Sequence, residues 1–174
     1  VGCAQTQPVM YGGIIVFVEG GERRVRAAQY TEASQKYNTQ DLIPLSYHLT
    51  ESGVIRMSLQ RRPYLILWAV TRDGSALSFS FSPENGVNAW TKHTFGGVVE
   101  DVQVSPRYDT DEVWFVVRRE TDKGTVRHIE FLEVSEYTDT EELNYVDSWV
   151  RWDGGDPIAI SSVDPGDTST TPYV

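Results

Sequence analysis

Residues 64–95 read YLILWAVTRDGSALSFSFSPENGVNAWTKHTF, and this stretch predicts three antiparallel strands. Leu65–Thr71 is almost entirely apolar or β-favouring, and Asp73-Gly74 tolerates the positive φ that a tight hairpin turn needs. Ala76–Phe81 alternates apolar residues with serines, the period of two expected of a strand with one buried face. After a further turn signal, Trp90–Phe95 can form a third strand. The stretch therefore encodes a small antiparallel sheet.

Similar hairpins are predicted on either side of this stretch. Ile14–Val18 is a β-branched and aromatic run, and Arg24–Tyr30 returns from it with alternating character. Val113–Arg119 is nearly all apolar, and Thr125–Val134 returns from it after a turn. The chain is therefore expected to repeat one sheet pattern at least three times.

The spacing of these repeats indicates the fold. Gly53-Val54-Ile55 matches Gly97-Val98-Val99 at an offset of 44 residues, and Leu65–Val70 matches Glu112–Val117 at an offset of 47. A period of this length holding about four strands is typical of β-propeller blades. We therefore predict an all-β fold of repeated antiparallel four-stranded sheets, part of a β-propeller or propeller-like assembly. Three blades fall short of the usual four to eight, so the chain is either part of a propeller or an open packing of the same sheets.

One short helix is expected beside the sheets. It covers Asp41–Leu49, because Leu42, Leu45 and Leu49 fall at helical spacing. Thr31–Gln40, which precedes it, is polar and is expected to be irregular.

Three segments are expected along the chain. Residues 1–13 form an irregular lead-in, 14–152 the β-repeat domain, and 153–174 an irregular tail or a linker to a further domain. Val146–Trp152 is the last predicted strand. Because residue 1 is Val and the chain ends in a polar stretch rich in Thr and Pro, we expect an excised fragment of a longer protein.

Composition limits the classes of function. With 15 basic and 25 acidic residues, the 174-residue chain has a formal charge of −10, which disfavours tight non-specific DNA binding. Cys3 is the only cysteine, so no disulfide can form within the chain, as suits a reducing cytoplasm. The longest apolar runs are too short to cross a bilayer, and no membrane partner is expected.

Catalytic and metal sites are not predicted. No serine lies in a nucleophile-elbow pattern and no Gly-rich phosphate loop opens a helix, so neither enzymatic activity nor a cofactor is expected. The three histidines do not have the spacing of metal ligands. The acidic group Asp109, Asp111 and Glu112 lacks the pattern of a calcium loop and is interpreted as a solvated turn.

An ordered set of short motifs runs from Ile14 to Asp153. In chain order these are Val16-Phe17-Val18, Tyr30, Asp41-Leu42, His48-Leu49, Ile66-Leu67-Trp68, Asp73-Gly74, Trp90, His93, Val116-Val117-Arg118-Arg119, Arg127 and Ile129-Glu130. The set resembles a large family of bacteriophage and prophage structural proteins that look like tail tube, nozzle or hub components of short-tailed phages. The chain departs from that pattern in Phe81, where a Tyr is expected, and in Pro44, which lies inside the predicted helix.

The resemblance implies an architectural role without catalysis. The chain would be a subunit of the tail or connector in the virion, made in the bacterial cytoplasm, with copies of itself and other tail proteins as partners. DNA would pass non-specifically through a central channel, and an acidic lining would let it slide. The alternative is a carbohydrate- or surface-binding β-propeller module, because the chain's 5 tryptophans could stack on sugar rings.

The residues expected on an interaction surface are Trp90, His93, Arg118, Arg119, Trp149 and Trp152. Arg118 and Arg119 neighbour a strand with Arg127 and Glu130, which predicts a cross-strand ion pair, with a contact between subunits as the alternative. Trp68 and Trp114 lie inside apolar strand runs and are expected in the core.

Overall fold

The computed structural model of the chain describes residues 2–33, 35–82, 87–122 and 124–132. Over these ranges it consists of three antiparallel β-sheets and one 3-10 helix, Tyr47–Thr50. Sheet 1 contains β1 (Val9–Tyr11), β2 (Ile14–Val18), β3 (Val25–Thr31) and β4 (Lys36–Asp41). Sheet 2 contains β5 (Val54–Gln60), β6 (Ile66–Thr71), β7 (Ala76–Ser82) and β8 (Val87–His93). Sheet 3 contains β9 (Val98–Pro106), β10 (Asp111–Thr121) and β11 (Gly124–Phe131).

Each sheet is a meander, in which every strand pairs with the next strand along the chain. The predicted all-β class and antiparallel sheets are confirmed, as is the recurring hairpin, which appears as β2–β3, β6–β7 and β10–β11. Sheets 1 and 2 have the predicted four strands, whereas sheet 3 has three among the described residues. The first strands of the sheets begin at Val9, Val54 and Val98, intervals of 45 and 44 residues.

Two segments predicted to be irregular contain strands. Val9–Tyr11 lies in the expected lead-in but forms β1, and Lys36–Asp41 forms β4. The side chains of β4 are almost all exposed. An edge strand with both faces in water carries no hydrophobic alternation, so only its backbone pairing with β3 defines it.

The predicted helix over Asp41–Leu49 is wrong, because the segment forms a loop before its 3-10 turn. Leu42 is buried with Ile43, while Leu45 is 92% exposed, so the helically spaced leucines do not share a face. The Asp41 carboxylate accepts a hydrogen bond from the Ile43 amide at 3.0 Å. Such a side-chain bond offers the backbone an alternative to helical pairing. Across the described ranges, no helix is long and apolar enough to span a membrane.

Sheet 2 lies between the other two sheets. From β6, Leu67 and Ala69 join a hydrophobic cluster with sheet 1, whereas Trp68 and Val70 join a second cluster with sheet 3. Both faces of β6 are therefore buried, which explains why its sequence is continuously apolar instead of alternating. The predicted core position of Trp68 is confirmed, since it is almost fully buried.

A similar backbone hydrogen bond occurs at each of the two junctions between neighbouring sheets. The Val54 amide of β5 donates to the Glu22 carbonyl in the β2–β3 turn at 2.8 Å, and the Val99 amide of β9 donates to the Gly74 carbonyl in the β6–β7 turn at 2.9 Å. Gly74 has φ +84°, and a Cβ there would lie 2.3 Å from Val98 Cγ1, so the junction requires glycine. The hairpin turns of sheets 1 and 2 thus each bond to the first strand of the next sheet.

A buried carboxylate joins the β5–β6 connection to the start of β10. Asp111 is 4% exposed, and its Oδ2 accepts hydrogen bonds from the amides of Arg61 (2.7 Å) and Arg62 (3.2 Å). The Arg62 guanidinium lies 3.5 Å from Oδ1. The prediction of a solvated acidic turn is therefore wrong for Asp111, because its buried carboxylate accepts two backbone amides from the β5–β6 connection of the neighbouring sheet. Asp109 of the same group is exposed.

Candidate interaction surfaces

Sheet 3 has an apolar face directed away from sheet 2, which we call the sheet 3 end face. Alternation along β10 buries Val113, Phe115 and Val117 and leaves Trp114 and Val116 half-buried on the other side. The end face consists of Trp114, Val116, Arg118, Arg127, Ile129 and Phe131, because register places Phe131 opposite Trp114 and Ile129 opposite Val116. Ile129 is 74% exposed and Phe131 51%. Among the residues that the structure describes, the outer side of this sheet is therefore an incompletely covered apolar surface.

Charged groups border this surface and pair with each other. Glu100 accepts hydrogen bonds from Arg127 Nε at 2.7 Å and Arg118 Nε at 3.0 Å, and Arg118 also donates to Glu120 at 2.6 Å. The hydrogen bond from Arg127, with that from Arg118, lowers the pKa of Glu100 below its ordinary value. The same bond to Glu100 raises the pKa of Arg127. Both shifts favour the ionised forms of Glu100 and Arg127, and the charges of the network are compensated locally.

Sheet 1 has a comparable outer surface, the sheet 1 end face. Its members are Met10, Ile15, Phe17, Arg26, Ala28, Tyr30 and Tyr37, which share one side of β1–β4 by strand register. Met10 is 63% exposed, and Tyr30 and Tyr37 make an edge-to-face contact with ring centroids 5.4 Å apart. Arg26 Nε donates to Glu19 at 2.9 Å, so the charge on this face is also paired.

Trp90 and His93, both predicted on an interaction surface, point to opposite sides of β8. The Trp90 ring stacks on Phe79 at 4.7 Å, and its Nε1 donates to the Leu42 carbonyl at 2.8 Å. His93 turns towards sheet 3 and lies 5.1 Å from the Trp68 ring. The structure therefore does not bring these two residues together, and Trp90 is held by packing between sheets 1 and 2.

Arg118 and Arg119 also lie on different faces. Arg118 belongs to the sheet 3 end face, whereas Arg119 makes an ion pair with Glu130 through two nitrogens and donates to the Phe95 carbonyl at 2.7 Å. The predicted cross-strand ion pair is confirmed in Arg119–Glu130. Trp149 and Trp152 lie outside the described residues.

Trp114 was expected in the core, and that prediction is wrong. It is half-buried on the sheet 3 end face, where its ring packs against Phe131 at 5.2 Å. Sequence reasoning also missed Ile129 and Phe131 as surface residues, although both share the apolar side of the alternating β11 strand. The missing information was which side of sheet 3 the neighbouring sheet covers.

His93 is a half-buried histidine whose Nε2 lies 2.7 Å from Ser78 Oγ. Burial lowers its pKa from the ordinary 6.5. Below about pH 6.5 the unfolded chain therefore takes up a proton that the folded protein does not. We expect the free energy of unfolding to fall as pH decreases from 7.5 to 5, measured by urea unfolding. The range stops at pH 5 because Asp73 and Glu100, whose pKa values are lowered, titrate below it.

Replacing His93 by Gln should remove most of this pH dependence. His128→Gln is the matched control, because His128 is exposed and touches neither Ser78 nor Trp68. An unchanged slope in His93→Gln would show that another group is responsible.

An open polar cleft of about 550 Å³ lies near the β2–β3 and β6–β7 turns. It is lined by Arg23, His48, Leu49, Glu51, Ser52, Asp73 and Lys92. Asp73 is already bonded to Thr71 and Ser52, at 2.5 and 3.0 Å. In the parts of the chain that the structure describes, no group of three or more His, Cys, Asp or Glu residues could hold a metal ion. The lining of the cleft has mixed charge, with Arg23 and Lys92 beside Glu51 and Asp73.

A scan against protein-family models and a search of curated proteins found no match to the chain. The end faces, the polar cleft and the repeated sheet junction are therefore the features from which function can be inferred.

Proposed function

We propose that the chain is a non-enzymatic structural subunit of a phage or prophage tail or connector, acting by self-assembly and by contact with other virion proteins. The supporting observation is the pair of end faces. Among the described residues, sheet 2 buries both its faces but sheets 1 and 3 each bury only one, and exposed Ile129, Phe131 and Met10 lie on the outer sides. Large exposed apolar patches on a folded protein usually mark an interaction surface.

The finer fold proposed with this function is a propeller-like assembly. Three observations support it: the repeat of 44–45 residues between first strands, the meander in every described sheet, and a similar backbone bond from the start of a first strand to a hairpin turn at both junctions. The first strands also contact one another, β1 with β5 and β5 with β9, as strands around a common axis would. A propeller blade buries both of its faces only when another blade packs on each side. The terminal sheets of this chain would therefore need further sheets from a partner, which is why the fold favours assembly.

The assignment to a phage tail is supported by the ordered motifs that resemble phage structural proteins. The formal charge of −10 suits a channel that DNA crosses without binding tightly. The proposed partners are therefore copies of the chain and other tail or connector proteins, and the proposed location is the virion.

Carbohydrate binding is the alternative, and the described tryptophans disfavour it. A sugar platform needs an open aromatic face. Trp68 is almost fully buried, Trp90 is stacked on Phe79, and Trp114 packs against Phe131. No Trp, Tyr or Phe is among the described residues that line the polar cleft. A glycan array tests this alternative, since specific sugar binding that is lost in Trp90→Ala would favour it over a purely architectural role.

Density-gradient purification of particles from the producing bacterium tests the proposed function. Mass spectrometry should find the chain's peptides at a fixed ratio to the major capsid protein across the particle peak. Bulk cytoplasmic enzymes provide the background control. Loss of the peptides from the peak while capsid protein remains would contradict the structural role.

A further inference from the structure

We propose that the sheet 3 end face of one copy packs on the sheet 1 end face of a second copy, and that two chains close into a ring of six sheets. This inference deepens the proposed self-assembly and rests on it. The partner is a second copy of this chain, and the interface is head to tail.

The first argument is continuity with the packing inside the chain. Sheet 2 receives sheet 1 on one face and sheet 3 on the other. The sheet 3 end face is the counterpart of the sheet 2 face that receives sheet 3. The sheet 1 end face is likewise the counterpart of the sheet 2 face that receives sheet 1. A second copy can therefore continue the stack in the same order.

The second argument is electrostatic. Stacking would remove the charged groups on both faces from water, and burying an unpaired charge is costly. On the sheet 3 end face, Glu100 already pairs with Arg118 and Arg127. On the sheet 1 end face, Arg26 already pairs with Glu19, and Asp41, which lies opposite Arg26, pairs with Arg24. Neither face would bury an uncompensated charge, and both offer apolar side chains.

The third argument concerns symmetry and number. Packing sheet 3 on sheet 3 would leave both sheet 1 end faces exposed, whereas two head-to-tail contacts cover all four end faces of a pair. Closed propellers usually contain four to eight blades. The described residues of each chain form three sheets, so two copies together supply six, a number within this range.

Complementation between two blocked variants tests the arrangement. Ile129→Asp with Phe131→Asp blocks the sheet 3 end face, and Met10→Asp with Tyr37→Asp blocks the sheet 1 end face. Leu45→Asp with Tyr108→Asp is the control, because both residues are highly exposed on loops outside the end faces. Light scattering after gel filtration should give the wild-type chain and the control about twice the chain mass of 19.6 kDa.

Each blocked variant alone should be a 19.6 kDa monomer, and an equimolar mixture of the two should form a dimer through the one intact pair of faces. Circular dichroism verifies that each variant is folded. If the Asp pair on β11 unfolds the chain, Ile129→Thr with Phe131→Thr makes the same test while keeping strand-favouring residues.

Three results would overturn the proposal: a monomeric wild-type chain, dimers formed by the sheet 1-blocked variant alone, or a mass that keeps growing with concentration. Such a result together with the chain's presence in purified particles would reject this interface but leave the structural role intact. Absence from particles would instead reject the proposed function.

Discussion

Replacing Asp111 by Ala is expected to lower the free energy of unfolding by about 2–4 kcal/mol, because it leaves the part-buried amides of Arg61 and Arg62 without their acceptor. Asp111 is 4% exposed and accepts the amides of Arg61 and Arg62. Without the carboxylate, these two amides lose their acceptor, whereas the half-exposed Arg62 guanidinium keeps its bonds to the Tyr108 and Arg107 carbonyls. Urea unfolding at pH 7 measures the loss.

Glu112→Ala is the matched control on the same strand. Glu112 pairs with Arg107 at 3.1 Å, but the Arg107 side chain is 67% exposed. Exposed ion pairs contribute about 0–1 kcal/mol to the free energy of unfolding. The loss in the free energy of unfolding for Asp111→Asn should lie between the losses for the two Ala variants. The Asn amide oxygen can still accept hydrogen bonds from the backbone, although the charge is lost. Equal losses in the two Ala variants would contradict the buried role of Asp111.

Phe115→Ala is the second substitution with a large expected effect, a loss of about 3–5 kcal/mol from the cavity it leaves between sheets 2 and 3. Phe115 is almost fully buried, and its ring contacts Trp68 at 5.5 Å and Phe95 at 4.7 Å. Deleting the ring removes packing from both sides of the junction. Thermal and urea unfolding should both show the loss.

Phe131→Ala controls for the loss of a phenyl ring from the same sheet. Phe131 lies on the sheet 3 end face and is half exposed, so its removal from the dilute protein should cost about 1 kcal/mol or less. If Phe131→Ala lowered the free energy of unfolding as much as Phe115→Ala does, the two faces of sheet 3 would not differ in burial as the structure describes.

The sequence predicts the sheets because their hairpins carry strong local signals. Leu65–Thr71 is too apolar for any exposed strand, Asp73-Gly74 favours a tight turn, and the spacing between Val54 and Val98 repeats the pattern. These signals depend on neighbouring residues and on the period of side-chain burial. They identified the recurring hairpin and the all-β class.

Features that depend on distant partners were not predictable in the same way. β4 is polar because it is an edge strand, and Trp114 lies in an apolar run although only one side of that run faces sheet 2. Asp111 looks like part of an acidic turn until the Arg61 and Arg62 amides are brought to it across about 50 residues. The same limit applies to the candidate surface, since alternation on β11 groups Ile129 with Phe131 but does not say which side stays open.

Hydrogen–deuterium exchange at low and high protein concentration tests most directly whether the end faces associate. Association should slow exchange in β2 of sheet 1 and β11 of sheet 3 as concentration rises, because water loses access to both faces. Strands β6 and β7 should not change, since sheet 2 is already covered on both sides. Identical exchange of β2 and β11 at both concentrations would contradict the assignment of the end faces as association surfaces.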